Sequence, residues 1–224
     1  MNNIENIILI VIILVVPLLA EIKVKSTYNK YLKKKNSSDL SGTEVARQIL
    51  DKNGLSNVYV VSTPGVLSDH YDPKRKTVRL SNDIFDGNTI ASIAVAAHEC
   101  GHAIQDKEGY LFLKLRSLLY PIVNFGTGIA YYILVIGFIT EMLDLVYLGI
   151  GLSGLGLLFQ IITLPVEFNA SSRAKDELKK MGIVNSEDSE GVSEMLTAAA
   201  LTYVAGVLAS ALQILRLIMM SRDN

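Results

Sequence analysis

Apolar residues in this chain gather into long runs separated by polar stretches. Ile7 to Ala20 is continuously apolar with one proline; it is short for a membrane span, and Ile22 extends it. Leu118 to Thr140 and Leu145 to Pro165 are each long enough to span, with only Glu141-Met142-Leu143-Asp144 between them. Leu196 to Met220 is a further apolar run, rich in small residues and broken by Gln213 and Arg216. It reads either as a fourth span or as a helix lying partly over the soluble part of the chain. The pattern predicts three or four transmembrane helices.

Residues 23–117 are mostly soluble in character. Lys33 to Asp39 reads as a polar connector. Ser41-Gly42-Thr43-Glu44 has the capping-box pattern and opens a helix to about Lys52, stopped by Asn53-Gly54. Val58 to Val61 is a short β-rich run. Asp69 to Asp72, a turn at Pro73 to Lys76, and Thr77 to Leu80 predict a β-hairpin. Asn88-Thr89 starts a helix whose first residues, Ile90 to Ala97, are apolar nearly all round, as in a buried helix. Beyond the third run, Glu167 to Met181 reads as a polar helix ending at Gly182, and Asn185 to Gly191 as a loop. The expected organisation is an anchor (1–22), a soluble part (23–117), a transmembrane hairpin (118–165), a helix and loop (166–195) and a C-terminal helix (196–224). The fold class is α+β, mainly helical, with a small hairpin or sheet.

Charge orients these segments. Lys23, Lys25, Lys30 and Lys33 to Lys35 follow the first run, which places the soluble part in the cytoplasm and the N-terminus outside. No Lys or Arg precedes that run and no small-x-small site ends it, so a retained anchor is favoured over a cleaved signal peptide. The acidic turn at 141–144 suits the outside. Lys114 and Arg116 at one end of the hairpin, and Arg173, Lys175, Lys179 and Lys180 at the other, return both ends to the cytoplasm. Arg216 and Arg222 oppose a simple exit of the last run to the outside. The Lys33 to Lys35 run suits attraction to anionic lipid.

Composition agrees: 50% of the 224 residues are hydrophobic and 19% charged, as in an integral membrane protein. A net charge of −1 gives no support to nucleic-acid binding. The single cysteine excludes an intramolecular disulfide, and with no Trp any interfacial aromatic belt rests on Tyr. Glycines at 126, 128, 149, 151, 154 and 156 suit close helix packing without specifying a dimer.

Candidate chemistry lies in the apolar-led helix. His98-Glu99-Cys100-Gly101-His102 is an H-E-x-x-H run holding two of the three histidines. On a helix His98 and His102 lie about 40° apart, one turn from each other, so both imidazoles can bind one Zn²⁺. Glu99 lies about 100° from His98, at the edge of that face, where it can accept a proton from an activated water. A buried His pair and Glu without partners is costly, and a metal resolves that cost. Cys100 points away and reads as a small buried residue. A catalytic zinc needs a third protein ligand. Glu167, after the hairpin, reads equally as that ligand or as a carboxylate at a helix N-terminus.

Five blocks of text resemble the YugP-type membrane zinc peptidases, neutral zinc metallopeptidases of bacterial membranes. They are Leu67 to Pro73, Thr77 to Ser81, Ala94 to Gln105, Thr163 to Ser171 and Ala198 to Ala205. A wider similarity, to HtpX-like and prenyl-protein peptidases, rests on a membrane hairpin between H-E-x-x-H and a downstream Glu ligand. The resemblance implies a gluzincin-like site with His98, His102 and Glu167 on zinc and Glu99 as base. Those wider families commonly carry Asp four residues after the Glu ligand; this chain has Ser171, so that Asp's role is not carried over.

His70 reads either as a polar hairpin residue or as a donor to the oxyanion formed when water attacks a peptide carbonyl. Tyr203 and Arg173 are further candidates for that role, and Asp69 or Asp72 could orient His70. The strand Thr77 to Leu80 could add a peptide substrate at its edge or be an ordinary sheet edge. The expectation is a membrane-embedded zinc endopeptidase acting on peptide or membrane-protein substrates, its site on the cytoplasmic side of a bacterial membrane. Alternatives are a scaffold with structural zinc, His70 supplying a fourth ligand, and a zinc hydrolase of a non-peptide bond.

Overall fold

The computed structural model describes residues 3–222; residues 1, 2, 223 and 224, placed by the sequence in the anchor and the C-terminal helix, lie outside the described residues. The chain is mainly helical and divides into two units. One gathers Met1–Glu21, Lys114–Leu164 and Leu201–Asn224; the other gathers Ile22–Leu113 and Pro165–Ala200.

In the second unit, helix α2 (Gly42–Lys52) opens on the expected box. Ser41 Oγ accepts from the Glu44 amide while the Glu44 carboxylate accepts from the Ser41 amide. Its inner face, Val45, Ala46, Ile49 and Leu50, is fully buried. Strands β1 (Tyr59–Thr63), β2 (His70–Asp72) and β3 (Thr77–Ser81) form one sheet in the order β1-β3-β2. The hairpin β2–β3 turns on Asp72, whose Oδ1 accepts from the amides of Lys74 and Arg75. The β1–β3 pair is parallel. β3 is therefore the central strand, paired on both sides, and presents no free edge to an added peptide. The sheet edges are β1 and β2, which corrects the placing of an open edge at Thr77 to Leu80.

A short helix, α3 (Asn82–Phe85), leads into α4 (Ile90–Glu108). Thr89 caps α4 by accepting from the Ser92 amide, and Gly109, in the left-handed conformation, ends it. α4 is the centre of this unit: Ile90, Ile93, Ala94, Ala97, Cys100 and Ala103 are fully buried in the shared core. Asp106 near its end accepts from Tyr71 Oη at 2.7 Å and Lys76 Nζ at 2.6 Å, which pins the hairpin to it.

The remaining helices are long: α1 (Asn3–Tyr31), α5 (Leu111–Ile139), α6 (Leu143–Lys180) and α7 (Ser186–Arg222). Each is long and apolar enough to cross a membrane, so the C-terminal run is a fourth candidate span. Several boundaries differ from the sequence pattern. α1 continues past the anchor to Tyr31 because its basic end is held: Lys30 Nζ lies 2.7 Å and Tyr31 Oη 2.6 Å from Glu194. α6 runs unbroken through Pro165, so no new helix opens at Glu167. The segment expected as a loop at 185–191 is already α7 from Ser186, with the Asn185 side chain accepting from the Asp188 amide.

Within the first unit, α5 and α6 pack closely where glycine allows. A Cβ on Gly149 would stand 2.5 Å from the Leu134 side chain, and one on Gly156 2.9 Å from Thr127. Gly128, Gly151 and Gly154 meet nothing within 4 Å and have no such role. Two polar contacts join the spans: Ser210 donates to Gln160 at 3.0 Å, and Arg216 Nε to Asn6 at 2.6 Å.

Candidate metal centre

Helical spacing puts His98 and His102 on one face of α4, with ring centroids 4.8 Å apart and planes at 85°. α6 reaches this face because Gly101 lies between the two histidines. A Cβ there would stand 2.6 Å from the carbonyl oxygen of Ala170 and 3.1 Å from its Cα, so only glycine admits the α6 backbone at this distance. The approach delivers Glu167, three residues before Ala170. Its Oε2 lies 3.3 Å from His98 Nε2 and 3.5 Å from His102 Nε2.

One donor atom from each of His98, His102 and Glu167 lies within 4.8 Å of the others, the spacing needed to hold a metal ion. Two imidazoles and a carboxylate suit zinc. Glu167 is 3% exposed, and Glu99 and His102 8% each, so the group is almost closed to solvent. Burial favours neutral His102, but the hydrogen bond to Glu167, the charges of Glu99 and Glu167, and Gln105 together raise its proton affinity above the ordinary imidazole value. A cation bound among these groups competes for the same lone pairs.

The other ring nitrogens are held from outside. His98 Nδ1 lies 3.2 Å from Ser171 Oγ, and His102 Nδ1 3.0 Å from Gln105 Oε1. Gln105 Nε2 donates to the Val166 carbonyl and to Asn169 Oδ1, which also accepts from Arg173 Nε at 2.7 Å. Sequence reasoning missed Gln105, Asn169 and Gly101. Gln105 was open to discovery, since it follows His102 by three positions on the same helical face.

The other candidates sit elsewhere. His70 is exposed on edge strand β2, with Nδ1 2.8 Å from the Ser68 carbonyl, and is not among the three clustered residues. Neither Asp69 nor Asp72 is committed to it: Asp69 accepts from the Ser81 amide and Asp72 from the turn amides. Burial raises the Asp69 carboxyl above the ordinary carboxylate range, with the charge of Glu99 adding to the effect. Arg173 is engaged at both ends, by Asn169 and, at 2.7 Å, by Glu108. Tyr203 belongs to the other unit. Cys100 is fully buried, burial pushes its thiol pKa up, and its Sγ lies 3.6 Å from the Ala46 carbonyl, as suits a packing residue.

A nearly buried His-His-Glu cluster on a chain with four candidate spans suits a metalloprotein of the membrane. The family model described as "Putative neutral zinc metallopeptidase" matches residues 6–222, and the chain belongs to that family. It is 48% identical over 200 residues, 89% of this chain and 89% of the relative, to "Putative membrane protease YugP" of Bacillus subtilis (strain 168). No solved structure matches it.

Proposed function

We propose that this chain is a membrane-embedded zinc endopeptidase with a gluzincin-like site. His98 and His102, each through Nε2, and Glu167, through a carboxylate oxygen, would hold the zinc. The observation that carries this reading is the convergence of those three donor atoms, two from α4 and one from α6, in a nearly closed site. Zinc bound there would supply a Lewis acid to the scissile carbonyl and lower the pKa of the attacking water. Glu99, beside both histidines and almost buried, accepts a proton from that water and delivers it to the leaving amine. Low solvent access strengthens each of these electrostatic interactions.

His70 can serve the oxyanion only as a cation. A backbone carbonyl only accepts, so Nδ1–H is committed to Ser68, and the neutral ring presents a lone pair at Nε2. Its place outside the three-residue cluster supports a catalytic site with an open position over a closed four-ligand one.

The basic residues that follow α1's apolar run and flank both ends of the α5–α6 hairpin support a cytoplasmic site. Glu167 follows the third apolar run by two residues, which suits membrane-protein fragments or misfolded membrane proteins as substrates. The test is hydrolysis of a casein-type substrate in detergent before chelation, after it, and after zinc is restored. Loss and recovery are expected; hydrolysis that survives complete zinc removal contradicts the reading.

A further inference from the structure

Gln105 is fully buried and its amide is used at both ends. Nε2 lies 2.8 Å from the Val166 carbonyl and 3.0 Å from Asn169 Oδ1; Oε1 lies 3.0 Å from His102 Nδ1. The orientation of this amide is forced. The Val166 carbonyl can only accept, so the amide nitrogen faces α6 and the amide oxygen faces His102. That oxygen carries no hydrogen, so the bond requires the proton to sit on His102 Nδ1. In the neutral ring Nε2 then keeps its lone pair, and Nε2 is the atom 3.5 Å from Glu167 Oε2.

The same side chain sets α6. Val166 immediately precedes Glu167, and its carbonyl is held by Gln105. Asn169, two residues after Glu167, accepts from Gln105 on one side and from Arg173 on the other, and Arg173 is anchored by Glu108 at the end of α4. The chain of contacts starts on α4, crosses to α6 and returns to α4. Its buried midpoint is a neutral amide, which completes these bonds without adding a charge beside the cluster.

We propose that Gln105 is a positioning residue of the zinc centre: it fixes His102 as the Nδ1–H tautomer, presents Nε2 to the metal, and sets the height of Glu167 through the Val166 carbonyl. This rests on the reading that His98, His102 and Glu167 hold zinc. Orienting groups of this kind act on metal affinity as well as on turnover.

The test uses the full chain in detergent with ¹⁵N-labelled imidazoles. With only three histidines, His70→Gln and His102→Ala assign the signals. In the zinc-loaded wild type, His102 is expected to carry its proton on Nδ1 and the metal on Nε2. Gln105→Leu is expected to weaken zinc binding about 10–100-fold in competition with a chelator. Metal on His102 Nδ1, or a Gln105→Leu protein that melts earlier yet binds zinc as the wild type does, overturns the proposal. If Gln105→Leu does not fold, the wild-type spectrum decides alone. If wild type takes up no zinc that His98→Ala removes, the zinc-site reading itself has failed, and this inference with it.

Discussion

Ser171 places its Oγ 3.2 Å from Nδ1 of His98, one helical turn beyond Glu167 on α6. A neutral hydroxyl thus stands behind this imidazole. A neutral hydroxyl orients a ring more weakly than a charged acceptor does. Ser171→Ala is therefore expected to loosen zinc by about 10-fold, the low end for such groups. Ser171→Asp is expected to bind at least as tightly as wild type, because the His98 N–H gains a charge-assisted partner. Chelator competition on the three proteins measures both; unchanged affinity in Ser171→Ala would show that the hydroxyl has no orienting role.

Gly101 tests the helix approach that builds the cluster. An alanine Cβ would meet backbone, which cannot swing aside as a flexible side chain can. Gly101→Ala is expected to cost about 1–3 kcal/mol of stability and to weaken zinc binding, since α6 must retreat with Glu167. Gly151→Ala, where nothing lies within 4 Å, is the control and should change stability by no more than about 0.5 kcal/mol. Thermal unfolding with zinc titration separates the two.

Much of this was visible in the sequence, and the misses share a cause. The Ser41–Glu44 box and the Thr89 cap are local devices, and both helices begin where those residues place them. The spacing of His98 and His102 is local too. The parallel β1–β3 pair is not: its strands are separated by β2, and no turn residue marks a pairing of that kind. Pro165 and the change to polar residues after it suggest a helix boundary, yet Pro inside a helix is tolerated where packing holds the chain, so Glu167 sits mid-helix. The contacts of Gln105 with Val166 and Asn169 join positions about sixty residues apart and exist only once α4 and α6 have met.

Asp106 is expected to matter for the sheet and not for the metal. Asp106→Ala removes the acceptor of both Tyr71 and Lys76. The Lys76 ammonium is half exposed and contributes little; the loss of about 1–2 kcal/mol expected in chemical unfolding comes mainly from Tyr71. Zinc content should stay at the wild-type level. A variant that loses zinc would show that the hairpin clamp also supports the metal centre.

Asp69 gives a pH dependence with a definite sign. Its folded pKa is raised by burial, so between the unfolded carboxylate value and that higher folded value the folded state binds more protons. Its contribution to stability is therefore present at low pH and is lost as pH rises through that window. Asp69→Asn keeps an acceptor for the Ser81 amide but removes the titration. The variant should gain stability relative to wild type as pH rises from the acid side of the window to neutrality. Unfolding of both proteins across that range checks this, and a relative loss for the variant would reverse the assigned sign.

Glu99 is proposed as the base of a zinc peptidase site held by His98, His102 and Glu167. The most direct measurement is zinc content and casein hydrolysis together, on purified wild type and Glu99→Gln in detergent. The substitution removes the carboxylate but none of the three proposed ligands. Glu99→Gln is expected to retain zinc at the wild-type level and to lose hydrolysis by at least about 100-fold. A Glu99→Gln protein that carries its zinc and hydrolyses at the wild-type rate would contradict this role for Glu99.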